Sequence, residues 1–380
     1  MLEFYEFFAG GGMVRAGLGE RWRCLFANDF DRKKSRAYCE NWGSAGMRTA
    51  DVASLATGEI PGHADLAWGS FPCQDLSLAG AGAGLQGGRS GTFWPFWNLM
   101  RGLVEENRAP RLMVMENVCG LLTSHGGTDF ATICDELGQA GYLAGALVVD
   151  AELFVPQSRP RLFIVGVRRE LAIPDGIVAN GPQAPWHSPG VQSAYEKLAQ
   201  STKRDWIWWK LPVPRPREIR FSDIIERDST GASWFSFDET QRLLDMMSEL
   251  NRSKVAQAQR LRRRVVGGLY RRTRRDENGR SLQRAEIRFD EVSGCLRTPA
   301  GGSSRQTILV VDGPLIKARL ISGRETARLM GLPDSYKLPE NYTEAYHLTG
   351  DGVVAPVVRH LAEHIFEPIL DDAKARATAA

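Results

Sequence analysis

No apolar run in this sequence approaches the ~20 residues that a membrane-spanning helix needs. The first residues, MLEFYEFFAG, lack the basic start of a signal peptide and read instead as a buried strand, so a cytoplasmic chain with no membrane association is expected. The six cysteines (Cys24, Cys39, Cys73, Cys119, Cys134, Cys295) contain no CxxC or CxxH pairing, which argues against a zinc site and a disulfide framework; no metal is expected. Net charge is also scarce: 48 basic against 45 acidic residues leaves +3, so the chain as a whole is not a polycation. No internal repeat is apparent.

What charge there is gathers in one place. Leu261 to Arg275 holds seven arginines and no acid. A solvated helix face normally mixes signs, so this block points to a polyanionic partner rather than to an exposed basic loop. With 380 residues, 43% of them hydrophobic, the chain is long enough for two lobes, each with its own core.

Strand-like runs at 2–8, 23–28, 65–69, 111–115, 145–149 and 162–167 alternate with helical stretches at 14–18, 31–41, 94–107 and 129–140. That alternation predicts an α/β fold with a mostly parallel sheet covered on both faces. After about Arg169 the pattern breaks. Pro174, Pro182, Pro185 and Pro189 mark a connection, and 190–320 reads as irregular and rich in arginine and tryptophan. Trp206, Trp208 and Trp209 in this stretch are read as packing residues rather than as base-stacking platforms. Helical signals return at 323–331 and 353–370.

The first strand runs into Gly10-Gly11-Gly12. Glycines after a strand let backbone approach a nucleotide-like ligand, although FAGGGM does not match the GxGxxG fingerprint. Asp29 ends the second strand, where a carboxylate would accept hydrogen bonds from ribose hydroxyls; Asp51 would accept from an adenine amino group, and Phe30 would stack on the adenine. The plain alternative for each acid is a cap or turn residue. Further along, DLAWGSFPCQDLS places Cys73 in a turn after a strand, at the edge where open α/β sheets hold their ligands. A thiolate is the strongest ordinary protein nucleophile.

Here the motifs become specific. Phe8-Ala9-Gly10-Gly11-Gly12, Gly69-Ser70-Phe71-Pro72-Cys73-Gln74, Glu116-Asn117-Val118, Gln157-Ser158-Arg159-Pro160-Arg161 and Arg324-Glu325 through Gly331-Leu332-Pro333 resemble, in order, five motifs of the DNA (cytosine-5)-methyltransferases of restriction-modification or orphan type. The resemblance spans residues 1–170 and 290–370. Met13, Glu6 and Asp351 depart from the family pattern, which bears on fine cofactor or loop contacts. The resemblance implies a Rossmann-like sheet that binds S-adenosylmethionine and releases S-adenosylhomocysteine, over 1–175 and 345–380. A smaller, irregular target-recognition domain and hinge would occupy 176–344.

It further implies Cys73 as nucleophile on cytosine C6, Glu116 hydrogen-bonded to N3, Asn117 fixing the local turn and Arg159 on O2. Arg161, two residues along the same strand, is expected on the same face. Phe8, Gly10, Gly12, Asp29, Phe30, Asp51 and Val353 are the expected cofactor residues. A target carbon inside a duplex is unreachable, so the base must be flipped out. The glycine-rich segment 78–92, with Ser77 and Arg89, suits a lid over that base. Tyr270, Arg271, Arg272, Arg274, Arg275, Ser303, Ser304 and Arg305 are the other candidates for contact with double-stranded DNA. The expected protein is a monomer, and any cognate restriction endonuclease acts separately.

Three rival readings fit the sequence less well. An RNA cytosine methyltransferase on the same fold usually has proline where Phe71 stands and lacks a large varied lobe. A nicotinamide dehydrogenase leaves Cys73, Glu116 and Arg159 without a purpose. A catalytically silent DNA-binding protein has no need of intact Cys73 and Glu116.

Overall fold

The computed structural model describes residues 1–72, 92–227, 231–275, 279–298 and 305–379. They form two units: 1–150 with 160–215 and 353–380, and 151–159 with 216–352.

The first unit is built on seven strands: β1 (Leu2–Phe7), β2 (Trp22–Asp29), β3 (Met47–Thr49), β4 (Leu66–Gly69), β5 (Leu112–Asn117), β6 (Tyr142–Asp150) and β7 (Pro160–Arg168). Their order is β3-β2-β1-β4-β5-β7-β6. The pairs among β3, β2, β1, β4 and β5 are parallel, whereas β7 runs antiparallel to both β5 and β6. Strands buried on both faces need long apolar runs; Leu112–Met115 supplies one, and Leu2, Phe4, Tyr5 and Phe7 do so around Glu3 and Glu6. Helices α1 (Met13–Leu18), α2 (Arg32–Trp42), α3 (Phe93–Glu105) and α4 (Thr128–Gln139) follow β1, β2, β4 and β5. Phe93, Phe96, Trp97, Met100 and Leu103 of α3 join Phe130, Ile133 and Leu137 of α4 in one core with Tyr5, Phe7, Met113 and Met115 of the sheet. Each such side chain contributes roughly 1.5–3 kcal/mol by leaving water. A C-terminal helix, Ala355–Leu361, packs on α1: a Cβ on Gly17 would lie 2.5 Å from the Ala355 carbonyl oxygen.

The boundary expected at residue 175 lies further on. Helices α5 (Pro189–Glu196) and α6 (Gln200–Arg204) and the short strands β8 (Val178–Ala179) and β9 (Trp208–Trp209) belong to the first unit. The reason is a set of backbone bonds to β6: Ile207 N–H donates to Ala144 O (2.8 Å) and Val148 N–H to Trp186 O (2.8 Å). Trp209 is buried against Gly145, where a Cβ would meet its indole, and Trp206 and Trp208 pack on each other and on Tyr195. The tryptophans are core.

The second unit holds an antiparallel sheet of order β11-β10-β12-β13, from β10 (Arg264–Arg275), β11 (Ser281–Arg288), β12 (Thr307–Asp312) and β13 (Leu315–Leu320). A stretch expected to be irregular is therefore regular at its centre. Helices α7 (Phe221–Ile224), α8 (Phe237–Asp245), α9 (Glu249–Arg260), α10 (Gly323–Leu329) and α11 (Tyr342–Asp351) complete it. Leu243 of α8 and Val255 and Ala258 of α9 bury one face of the sheet with Leu269, Ala285, Ile287, Leu309 and Val311.

Glu325, from the expected RE motif, is wholly buried and holds Arg319 by two bonds of 2.6 and 2.7 Å. It also accepts the N–H groups of Ser322 and Glu226. Removing one partner of a buried pair strands the other charge. Glu325→Ala should therefore cost about 3–5 kcal/mol in urea unfolding; a loss below about 1 kcal/mol would contradict the reading.

Candidate active site

Three strands of the first unit end side by side. Phe7 and Gly69 pair across β1 and β4, and Gly69 pairs with Met115 across β4 and β5. The chain leaving each strand therefore emerges at one sheet edge, the edge where parallel sheets hold ligands.

After β1 the backbone turns sharply. Phe8, Gly10 and Gly12 all have positive φ (57°, 55° and 78°). For phenylalanine this is a strained conformation. The Phe8 ring is held edge-on to Phe96, centroids 6.0 Å apart. Among the described residues a Cβ at Gly10 would meet nothing within 4 Å, whereas one at Gly12 would lie 2.4 Å from the Trp42 indole nitrogen. Trp42 also donates to Gly11 O (3.0 Å), so it braces the turn from α2. No local spacing signals Trp42, because it comes from the next βα unit.

Asp29 is buried, and its two oxygens accept N–H groups of Gly10 (2.7 Å) and Asp31 (2.8 Å). Burial, first among the influences on it, raises its pKa. It ties the glycine turn to β2, a role the sequence reading did not include. Beside it Phe30 is 69% exposed, unusual for so large an apolar side chain. Asp51 is exposed and caps the next turn by accepting from Ala53 N–H (2.9 Å). Val353 is buried where the chain re-enters the first unit.

At the ends of β5 and β7, Arg161 Nε lies 3.2 Å from Glu116 Oε1, with both side chains largely buried. Asn117 donates to Phe71 O (3.3 Å), and its own oxygen accepts from Val118 N–H (2.9 Å). That bond ties the turn after β4 to the end of β5. Cys73 follows Phe71 by two positions in the sequence; it lies outside the described residues, as do Ser77, Arg89, the rest of the glycine-rich segment up to Ser90-Gly91, Ser303 and Ser304.

Arg159 and Arg161 do not share a face of one strand. β7 begins at Pro160, and Arg159 belongs to the second unit. The Arg159 guanidinium donates to the carbonyls of Leu296 (2.9 Å), Gly350 (2.9 Å) and Gly352 (2.7 Å). Gln157 likewise donates to Leu329 O and accepts from Leu296 N–H. Arg159 is thus committed to backbone, and Arg161 is the arginine beside Glu116. Two DNA candidates also change character. The Tyr270 hydroxyl is bonded to Gly294 N–H and to Gln306 Nε2 (3.1 Å), and Arg305 donates to Thr343 Oγ1 (2.8 Å) over the Tyr342 ring. Arg271, Arg272, Arg274 and Arg275 are exposed.

A mostly parallel sheet with a glycine turn after β1 and a largely buried carboxylate–arginine pair beside the turn after β4 is a Rossmann-like architecture with a ligand-binding edge. The chain belongs to the C-5 cytosine-specific DNA methylase family, whose model matches residues 2–367. Among its relatives are Type II methyltransferase M.BsuFI of Bacillus subtilis, 25% identical over 97% of this chain and 73% of that one, and M.HhaI of Haemophilus parahaemolyticus, 24% identical over 96% and 94%. Solved structures that share the fold include S. pombe Dnmt2 methyltransferase (TM-score 0.56, 16% identity, 97% and 99% covered). Another is a putative prophage-encoded DNA modification methyltransferase from E. coli (TM-score 0.60, 16% identity, 98% and 100% covered). The chain is accordingly a DNA cytosine-C5 methyltransferase.

One buried group lies just behind the glycine turn. Glu6 is 1% exposed, and among the described residues no hydrogen bond of good geometry reaches either oxygen. Burial pushes its pKa up to about 8; Arg15 and the N–H of Val14 oppose this, and Asp29 adds to it. An acid whose pKa rises on folding stabilises the fold below its ordinary value of 4.5, and that advantage is lost as pH rises toward 8. Glu6→Gln should therefore gain stability relative to the parent across this window, with little difference near pH 4 by urea unfolding. Parallel pH profiles for the two proteins would contradict it.

Proposed function

We propose that this enzyme methylates cytosine in double-stranded DNA through a transient bond between Cys73 and C6 of a flipped-out base, with Glu116 and Arg161 gripping the ring. The observation that carries this reading is the buried Arg161–Glu116 pair at the sheet edge, tied through Asn117 to the segment that leads to Cys73.

The chemistry follows from cytosine. Its C5 is a poor nucleophile, and addition of a thiolate to C6 forms a C–S bond while electron density moves toward N3 and C5. Glu116 hydrogen-bonds or protonates N3 and so accommodates that charge. To Arg161, rather than to the Arg159 expected from sequence, we assign donation to O2, which would stabilise the same charge. Its bond to Glu116 also holds the carboxyl group in orientation. After alkylation a base removes the C5 proton, the electrons re-form the C5–C6 double bond, and the Cys73 sulfur departs as thiolate. Arg159 acts at one remove, fixing the backbone around Leu296, Gly350 and Gly352.

The residues at the glycine turn suit S-adenosylmethionine. Among the described residues Gly10 leaves open space where a Cβ would stand, Phe30 offers an exposed aromatic face, and Asp29 and Asp51 would accept from hydroxyl and amino groups. Phe8, Gly12 and Val353 would complete its seat. When bound, the cofactor supplies an electrophilic methyl group on a sulfonium. Extruding the base costs a few kcal/mol of unstacking, which the residues following Cys73 and the arginines of the second unit would offset by holding the duplex. The Type II names of the relatives support reading the enzyme as the modification partner of a separately acting endonuclease.

The test is substitution. Cys73→Ala should abolish methyl transfer to duplex DNA and leave DNA binding intact. Glu116→Gln should lower kcat by about 10²-fold or more, the usual consequence of losing one transition-state hydrogen-bond partner. Transfer that survives Cys73→Ala would overturn the mechanism.

A further inference from the structure

Four of the seven arginines of the block, Arg271, Arg272, Arg274 and Arg275, lie on one strand of a two-stranded ribbon. Among the described residues β10 pairs with β12 from Arg264 to Leu269, whereas its pairing with β11 continues to Arg275↔Ser281. Beyond Leu269, Tyr270–Arg275 and Ser281–Glu286 therefore form a two-stranded arm. Six residues at ~3.3 Å each make it ~20 Å long. The major groove of DNA admits a two-stranded ribbon of this kind.

The register divides the arm into two unlike faces, because residues paired across strands share a face. One carries Arg271/Ala285, Thr273/Gln283 and Arg275/Ser281. At its base this face is closed: Ala285 is buried with Leu269 and Ile287, and its N–H donates to Met246 O just after α8. The other carries Tyr270/Glu286, Arg272/Arg284 and Arg274/Leu282. Glu286 holds Arg274 at 2.6 Å and Arg272 at 3.6 Å, and the Arg272 guanidinium lies 5.6 Å from the Tyr270 ring centroid. Tyr270 in turn is anchored on Gly294, two residues before Leu296, whose carbonyl Arg159 holds.

From this geometry, and resting on the duplex-DNA reading above, we infer that the Arg272–Arg274–Arg284 face of the ribbon determines which sequence is methylated, by reading guanine edges in the major groove. An arginine fixed in advance by a carboxylate and an aromatic ring loses little conformational entropy on binding, and its fork matches guanine O6 and N7. Leu282, exposed beside Arg274, suits a thymine methyl group. Glu286 is the positioning residue. Arg271 and Arg275, on the opposite face, are phosphate anchors that carry no sequence information.

The experiment maps methylated cytosines in a random duplex library for the parent and its variants, alongside binding to duplexes with and without the parent's site at several salt concentrations. Arg272→Ala and Arg274→Ala should relax the preference at a guanine by about 10–100-fold while binding to unrelated duplex persists. Glu286→Gln should loosen the same position without weakening unrelated binding. Arg271→Ala and Arg275→Ala should weaken binding to all sequences alike, each lowering the salt slope by about 1, with the motif unchanged. If Arg272→Ala or Arg274→Ala stops methylation altogether, retained binding to unrelated duplex with loss of site preference supports the proposal; loss of both refutes it. An unaltered motif in the Arg272, Arg274 and Glu286 variants, or a motif altered by Arg271→Ala or Arg275→Ala instead, also refutes it. A parent that methylates no duplex would be a failure of the duplex-DNA reading, not of the ribbon.

Discussion

The carboxylate of Glu116 and the guanidinium of Arg161, 3.2 Å apart at the ends of two antiparallel neighbours, are the contact around which the sheet edge proposed for catalysis is organised. Each would be costly to bury alone. Together they place an acceptor or proton source and a cation at one spot in a water-poor setting, where charge developing on a pyrimidine ring would need both. The parallel order of β1, β4 and β5 brings the glycine turn, the turn leading to Cys73 and Glu116 to one edge, and the reversed β7 returns Arg161 to the same edge.

The supporting residues solve a second problem, which is rigidity without a ligand. Asp29, Trp42 and Asn117 each spend their polar atoms on backbone near the edge. In the second unit Gln157 and Arg159 do the same for a loop-rich region, and the Arg319–Glu325 pair fixes the start of α10. Such bonds keep turns in one conformation and leave Phe30 and the exposed arginines of β10 available to partners.

Much of this was legible in the sequence. The buried strands announced themselves as apolar runs, and Glu116-Asn117 and the glycine turn fell at strand ends because the alternation of strand and helix was clear. Local pattern could not separate Arg159 from Arg161. Their roles are set by carbonyls 137 to 193 residues away and by a strand boundary at Pro160. Tyr270 looked like a DNA contact because it sits among arginines, yet its hydroxyl is consumed by Gly294 and Gln306. The sheet of the second unit was missed because the exposed half of β10 is polar on both faces, which erases the period-2 signal. The boundary between units was misplaced because residues 176–215 add to β6 through backbone bonds that carry no side-chain signature.

The central claim concerns one covalent bond. Duplex DNA in which 5-fluorocytosine replaces cytosine, incubated with the enzyme and S-adenosylmethionine, tests it directly, since fluorine at C5 blocks the final elimination. A stable protein–DNA adduct that peptide mass spectrometry places on Cys73 is the expected result. Methylated product without an adduct, or an adduct on any other residue, would contradict the account.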